Sequence, residues 1–239
     1  MLCDSTNGYC KQFDVYVGND ERNVGNIGKT GKAVLNVLRG LEQSHHHVYM
    51  DNFYTSPILF LAMKNMGLYA CGTARNRKGY PMNEPKAMPT RERGEIAWLG
   101  WNNTMLAVKW KDRKEIYTLS TLHSSPVQQP AVGVSDNMNS EDNIGDGGIV
   151  NRRVKQGGQW RQVRIRCPQL VKDYNKFMGG VDLHDQMTCV SKSKRQMRWY
   201  MRMFMKLILM CVYNAFVIQG HYQPHQIPGH RKRDLSFKD

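Results

Sequence analysis

Two acidic residues close short apolar runs: Asp4 in MLCDS and Asp51 in VYMDN. A single aspartate at a strand end is ordinarily a turn former or a helix cap. Two of them on neighbouring parallel strands bring their carboxylates to one sheet edge, where open α/β sheets collect ligands. Residues 179–187 (GGVDLHDQM) add Asp182 and Asp185, three apart and hence on one face if the segment is helical. The same pair equally suits capping after two glycines. Carboxylate oxygens suit hard cations such as Mg²⁺. Two such ions activate a water or hydroxyl nucleophile and stabilise the leaving oxygen of phosphoryl transfer. Three or four separated aspartates are the minimum set for that chemistry, which needs no Ser/His/Asp or Cys/His nucleophile, and no convincing arrangement of either kind is present.

The elements that must position these residues are legible in outline. Residues 1–3 read as a strand running into Asp4, and the alternation of Phe13 to Val17 reads as a second. Val34, Leu35, Leu38 and Leu41 recur at helical spacing between Ile27 and Gln43, and residues 47–50 form a short buried strand ending at Asp51. Thr55 or Ser56 caps a helix with Pro57 in its first turn, running to Gly67, and residues 68–74 return as a strand. Three short strands follow as a meander over residues 95–99, 105–110 and 115–119. Residues 124–160 hold Pro126, Pro130 and an acidic cluster (Asp136, Glu141, Asp142, Asp146), which predicts a mobile loop. Pro168 suits a helix start, and a long helix with a basic first half is expected from about Gln196 to Ile218.

The 239 residues suffice for one large or two small domains, and the composition disfavours wholesale disorder and a coiled-coil rod. The charge is +14, and its distribution is uneven: residues 1–150 carry 16 basic and 15 acidic side chains, residues 151–239 carry 18 and 5. A polyanionic partner fits that bias, as does a solvated face. The six cysteines are scattered without a CxxC pair, which predicts a reduced intracellular protein. The most apolar stretch, residues 207–219, has 13 uncharged residues. It is expected to be a core helix too short for a bilayer, so no membrane partner is expected.

MLCDS, VYMDNFYTSPILFLAMKNMGLYACGTARNRKGYP and YNKFMGGVDLHDQM with RWYMRMFMKLILMCVYNAFVI resemble, in order and approximate spacing, the transposases of piggyBac elements and their domesticated derivatives. The resemblance implies an α/β, ribonuclease H-like catalytic core interrupted by a β-rich insertion domain. It places the first part of the core at residues 1–74, the insertion at 75–167, the second part of the core at 168–220 and a basic tail at 221–239. It further implies a metal site of Asp4, Asp51 and Asp182, supported by Asp185 as a fourth catalytic acid and holding two Mg²⁺, with Mn²⁺ as a substitute. The implied activity is DNA strand cleavage and strand transfer in cut-and-paste transposition, on transposon ends and a TTAA target, in the nucleus, with room for a homodimer.

Lys192, Lys194, Arg195, Arg198, Arg202 and Lys206 follow the third carboxylate and are the candidate DNA-binding residues, positioning phosphates rather than reading bases. Trp199 and Tyr200 stack on bases or pack in the core. His184 either tunes its acidic neighbours or is an exposed helix residue. The runs His45-His46-His47 and His221, His225, His230 lack neighbouring cysteines and argue weakly for zinc. Relatives of this family carry further DNA-binding segments on either side, so a fragment or decayed copy with its metal ligands present is expected, and a non-cutting DNA- or chromatin-binding protein is the competing expectation.

Overall fold

The structure is a computed structural model that describes residues 1–16, 25–75, 90, 92–101, 104–123, 147–156, 158–189 and 198–222. In chain order its strands and helices are β1 (Leu2–Cys3), β2 (Cys10–Gln12), α1 (Gly28–Val37), β3 (His47–Met50), α2 (Pro57–Asn65), β4 (Tyr69–Ala74), β5 (Ile96–Trp101), β6 (Met105–Lys111), β7 (Glu115–Ser120), β8 (Gly147–Gln156), β9 (Gln159–Pro168), α3 (Gln169–Phe177), α4 (Gly180–Met187) and α5 (Trp199–Tyr222). They form a mixed α/β architecture in two compact units, one of Asn19–Lys176 and one joining Met1–Gly18 to Phe177–Asp239.

The larger unit is organised by a five-stranded sheet in the order β3-β4-β7-β6-β5. β3 and β4 pair in parallel from His47↔Tyr69 to Met50↔Gly72, and every other ladder in the sheet is antiparallel. α2 makes the parallel crossover between β3 and β4. Its start follows from sequence: the Ser56 hydroxyl accepts the Leu59 N–H at 3.3 Å, and Pro57 occupies the first turn where no N–H is needed. Leu59, Phe60 and Met63, at helical spacing, are fully buried. The core of this unit gathers Cys71, Leu106, Val108 and Trp110 of the sheet, Ile165 and Cys167 of β9, and Leu170, Val171 and Tyr174 of α3.

The meander expected after residue 90 is present as β5, β6 and β7. It continues the sheet of β3 and β4 through the β4–β7 ladder. The loop expected across residues 124–160 is corrected in its second half. Residues 124–146 lie outside the described residues, but β8 pairs with β9 along its whole length, from Gly147↔Pro168 to Gln156↔Gln159. Glycine and asparagine content hid an alternation, Ile149 to Lys155, that a partner strand completes.

In the smaller unit β1 and β2 form a short antiparallel ribbon in which Cys3 lies opposite Cys10. The second strand expected over residues 13–17 falls earlier, at Cys10–Gln12; residues 13–16 are outside any strand, and Val17 lies outside the described residues. The core helix expected near residues 207–219 is also corrected. α5 is 24 residues long and buries Met210 and Tyr213, while Trp199, Phe204, Ile208, Val212 and Ile218 are exposed. By length and composition Trp199–His221 is long and apolar enough to cross a bilayer, because Arg202 and Lys206 are its only charges other than histidine. The basic tail is described only to residue 222.

Candidate functional site

Asp4 follows β1 directly and opens a tight turn. Its Oδ1 accepts the Thr6 N–H at 2.7 Å and the Thr6 hydroxyl at 2.5 Å, and its backbone N–H donates to the Tyr9 carbonyl at 2.8 Å. The Thr6 hydrogen bonds hold the exposed Asp4 carboxyl below its ordinary pKa despite some burial, so it is ionised at neutral pH. Gly8 closes the turn at φ +70°, a backbone conformation that favours glycine.

Two glycines allow α4 to lie against this turn. A Cβ on Gly180 would sit 2.6 Å from the Asp4 carbonyl oxygen, and one on Gly8 would sit 3.2 Å from the His184 nitrogen. The Asp4 turn and the first turn of α4, which carries Asp182, are therefore in backbone contact. Asp182 and Asp185 are both exposed on α4, as the three-residue spacing requires.

His184 corrects one of its two expected roles, because it is fully buried rather than an exposed helix residue. Its Nδ1 donates to the Gly8 carbonyl at 2.9 Å, and its ring meets Tyr213 edge to face at 5.4 Å. Burial lowers its pKa and favours the neutral ring. The Tyr213 hydroxyl in turn donates to the Asn7 carbonyl at 2.7 Å. Asn214 clamps β2 by accepting the Cys10 N–H and donating to the Cys10 carbonyl, both at 2.9 Å. α5 is thus fastened by polar side chains to the Asp4 turn through Tyr213 and to β2 through Asn214.

Lys206, expected as a phosphate contact, has its ammonium engaged within the protein. Its ammonium donates to Asp185 Oδ1 at 2.8 Å and to the Thr188 hydroxyl at 2.5 Å, binding α5 to the end of α4. Arg198 donates to the Tyr200 hydroxyl at 3.1 Å, and Arg202 lies one turn further along α5. Trp199 is 75% exposed, which places it outside any core among the described residues. Lys192, Lys194 and Arg195 lie outside the described residues.

Asp51 belongs to the larger unit. It follows β3 directly, is exposed, and organises the turn into α2: Oδ1 accepts the Phe53 N–H at 2.9 Å, and its carbonyl accepts the Thr55 hydroxyl at 2.8 Å. The oxygen donors of Asp4, Asp51 and Asp182 are of the right class for a hard divalent cation. Among the described residues no three His, Cys, Asp or Glu side chains are gathered closely enough to hold a metal ion. Thr6, Tyr213 and Asn214 escaped the reading from sequence as parts of this site. The Asn7-Gly8 dipeptide, a strong turn signal, is a second pointer to the Asp4 turn besides the strand-end aspartate itself.

A mixed α/β fold with an acidic turn and an acidic helix against it defines the class, and comparison with known proteins makes it specific. Residues 1–216 match the family model described as Transposase IS4. Human PiggyBac transposable element-derived protein 3 is 25% identical over 226 residues, covering 92% of this chain and 34% of that protein. Human PiggyBac transposable element-derived protein 2 is 24% identical over 177 residues, covering 71% and 26%. The fold is shared with a piggyBac transposase solved by cryo-electron microscopy as a synaptic complex with hairpin DNA, with a TM-score of 0.64, 23% identity and coverage of 92% of this chain and 40% of that one. The chain belongs to the transposase family, in its piggyBac branch. It spans about a third of the length of the first curated relative.

Proposed function

We propose that this chain is the catalytic part of a piggyBac-like DNA transposase, acting on DNA in the nucleus by metal-dependent strand cleavage and strand transfer at TTAA-flanked ends. The observation that carries the reading is the packing of α4 on the Asp4 turn through Gly180, which brings the segments bearing two of the three expected ligands together. In this reading the core is ribonuclease H-like, with the β-rich segment after residue 75 as its insertion. Asp4, Asp51 and Asp182 are the residues that would hold Mg²⁺, or Mn²⁺ in its place. Ions held there would supply activation of a water or 3′-hydroxyl and charge neutralisation at the reacting phosphate. The chain's own part is to keep Asp4 ionised through Thr6, to hold α4 in place through His184, and to bring cationic side chains to the DNA backbone. Action as a homodimer is part of this reading.

The test is strand cleavage of a labelled TTAA-flanked transposon end by the purified chain in Mg²⁺ or Mn²⁺. Cleavage that Asp182→Ala abolishes supports the reading. Equal inertness of the two proteins overturns cleavage by this chain. A second reading, DNA binding without cleavage, rests on the basic excess of residues 151–239, 18 basic against 5 acidic side chains, which needs no metal site. It requires salt-sensitive DNA affinity that survives loss of Asp4, Asp51 and Asp182.

A further inference from the structure

The β8–β9 hairpin has two chemically different faces. Residues directly opposite in an antiparallel ladder share a face, so the register sorts them. Val150, Val163, Ile165 and Cys167 turn toward the core of the larger unit. Arg152 joins them there: its Nε donates to Asp112 at 3.1 Å, and its guanidinium lies 6.0 Å from the Trp110 ring. The Trp110 indole anchors the other strand by donating to the Arg166 carbonyl at 2.8 Å.

The opposite face presents Asn151, Arg153 and Lys155 of β8 beside Trp160, Gln162 and Arg164 of β9, all exposed. Neither strand contains an acidic residue. Glu92 and Glu95 border a cavity at the base of the hairpin together with Arg164 and Arg166. Arg153 and Lys155 stand clear of that cavity toward the tip, and Arg164, opposite Asn151, extends the same exposed basic face down to it. Trp160, 69% exposed, projects from this face. An indole exposed beside two cations and two amides sets a flat aromatic face next to positive charge, the combination that nucleic-acid-binding surfaces use. Cations two residues apart along a strand stand roughly 6.8 Å apart, the axial rise of about two nucleotides in a DNA duplex. A two-stranded ribbon also has the width that a duplex groove admits.

We propose that the tip of the β8–β9 hairpin is a second DNA-contacting surface, gripping the phosphodiester backbone through Arg153, Lys155 and Arg164, with Trp160 laid against the sugar-phosphate edge. It rests on the reading of the chain as a DNA-acting protein, and it adds a basic site separate from the α4–α5 segment. The cations position the duplex and carry no sequence preference.

The experiment measures binding of the full chain to a fluorescent duplex across a salt series. Variants are Arg153→Gln/Lys155→Gln/Arg164→Gln, Trp160→Ala alone, and Arg113→Gln/Lys114→Gln as a charge control from the β6–β7 turn. The expected result is a tenfold or greater loss of affinity for the triple variant. Its log-affinity against log-salt slope should be shallower by about 3, from the loss of three phosphate contacts. Trp160→Ala should weaken binding several-fold, and the control pair should do neither. The altered side chains are exposed, so thermal midpoints should hold; if the triple variant unfolds, Trp160→Ala decides. Wild-type affinity and slope in the triple variant or, if that unfolds, wild-type affinity in Trp160→Ala overturn the hairpin and leave the proposed function standing, whereas failure of the wild type to bind at low salt overturns both. Equal competition by polyglutamate of matched charge would overturn the assignment to nucleic acid.

Discussion

His184 Nδ1 donates to the Gly8 carbonyl oxygen at 2.9 Å, tying the helix that carries Asp182 and Asp185 to the turn that begins at Asp4. A carbonyl only accepts, so Nδ1 carries the proton and the buried Nε2 is bare when the ring is neutral. The tether is worth more to stability than an exposed hydrogen bond, because its loss strands a buried backbone acceptor. His184→Leu should cost about 1–3 kcal/mol in urea unfolding. His184→Asn, which retains a donor near the same place, should cost less. Equal losses in the two variants would show that ring volume, not the hydrogen bond, holds α4.

The contact between Gly180 and the Asp4 carbonyl predicts a sharp difference between adjacent glycines. Gly180→Ala places a methyl 2.6 Å from backbone that has no flexible end to move, whereas Gly179→Ala meets nothing within 4 Å. Overpacking of this kind costs about 1–3 kcal/mol. Gly180→Ala should lower the unfolding midpoint and abolish any Asp182-dependent cleavage. Gly179→Ala should change stability by less than about 1 kcal/mol, as for a change at a helix N-cap. Chemical denaturation of the two variants side by side is the check.

The strand ends, the cap at Ser56 and the meander were legible because each rests on a local rule: period-two alternation, a hydroxyl before proline, turn residues between short apolar runs. The register of β8 was not, since a strand beginning Gly147-Gly148 declares itself only through its partner, with Arg152 turned inward to Asp112. The partners of Lys206 were hidden for a related reason. Its sequence neighbours made it one cation in a basic run, but position on α5 brings it to Asp185, 21 residues away in sequence. The Asp4 and Asp51 turns were found by type and spacing, while Thr6 and His184, which fix the Asp4 turn and α4, act through contacts that no spacing records.

Lys206 and Asp185 should couple weakly but measurably. Both side chains are partly exposed, so the pair is screened, and a double-mutant cycle of Lys206→Ala with Asp185→Asn should return about 0.5–1 kcal/mol. Lys206→Ala alone should cost more than the coupling energy, because the Thr188 hydroxyl also loses its donor. DNA affinity should change little in Lys206→Ala, since the Lys206 ammonium is already engaged by Asp185 and Thr188. A tenfold loss, measured by anisotropy at low salt, would return Lys206 to the phosphate contacts.

Acid stability should depend on Asp112. Its carboxylate is shared by Arg93, through Nε at 2.8 Å and Nη2 at 2.5 Å, and by Arg152 at 3.1 Å. Partial burial works against ionisation, but the two guanidinium groups outweigh it and hold the Asp112 pKa below its ordinary value of 3.8. A carboxylate with a depressed folded pKa contributes stability that is complete above its unfolded value. That contribution is lost as pH falls through the folded value, because the unfolded chain binds the proton first. Unfolding midpoints between pH 7 and pH 3 should therefore fall less steeply in Asp112→Asn than in the wild type, with the variant the less stable of the two at pH 7. Because Arg152 sits on the inner face of the hairpin, hydrogen exchange in β8 should quicken in the variant at neutral pH. Unchanged exchange there would mean that the apolar contacts of Val150, Val163 and Ile165 hold the hairpin without the ion pairs.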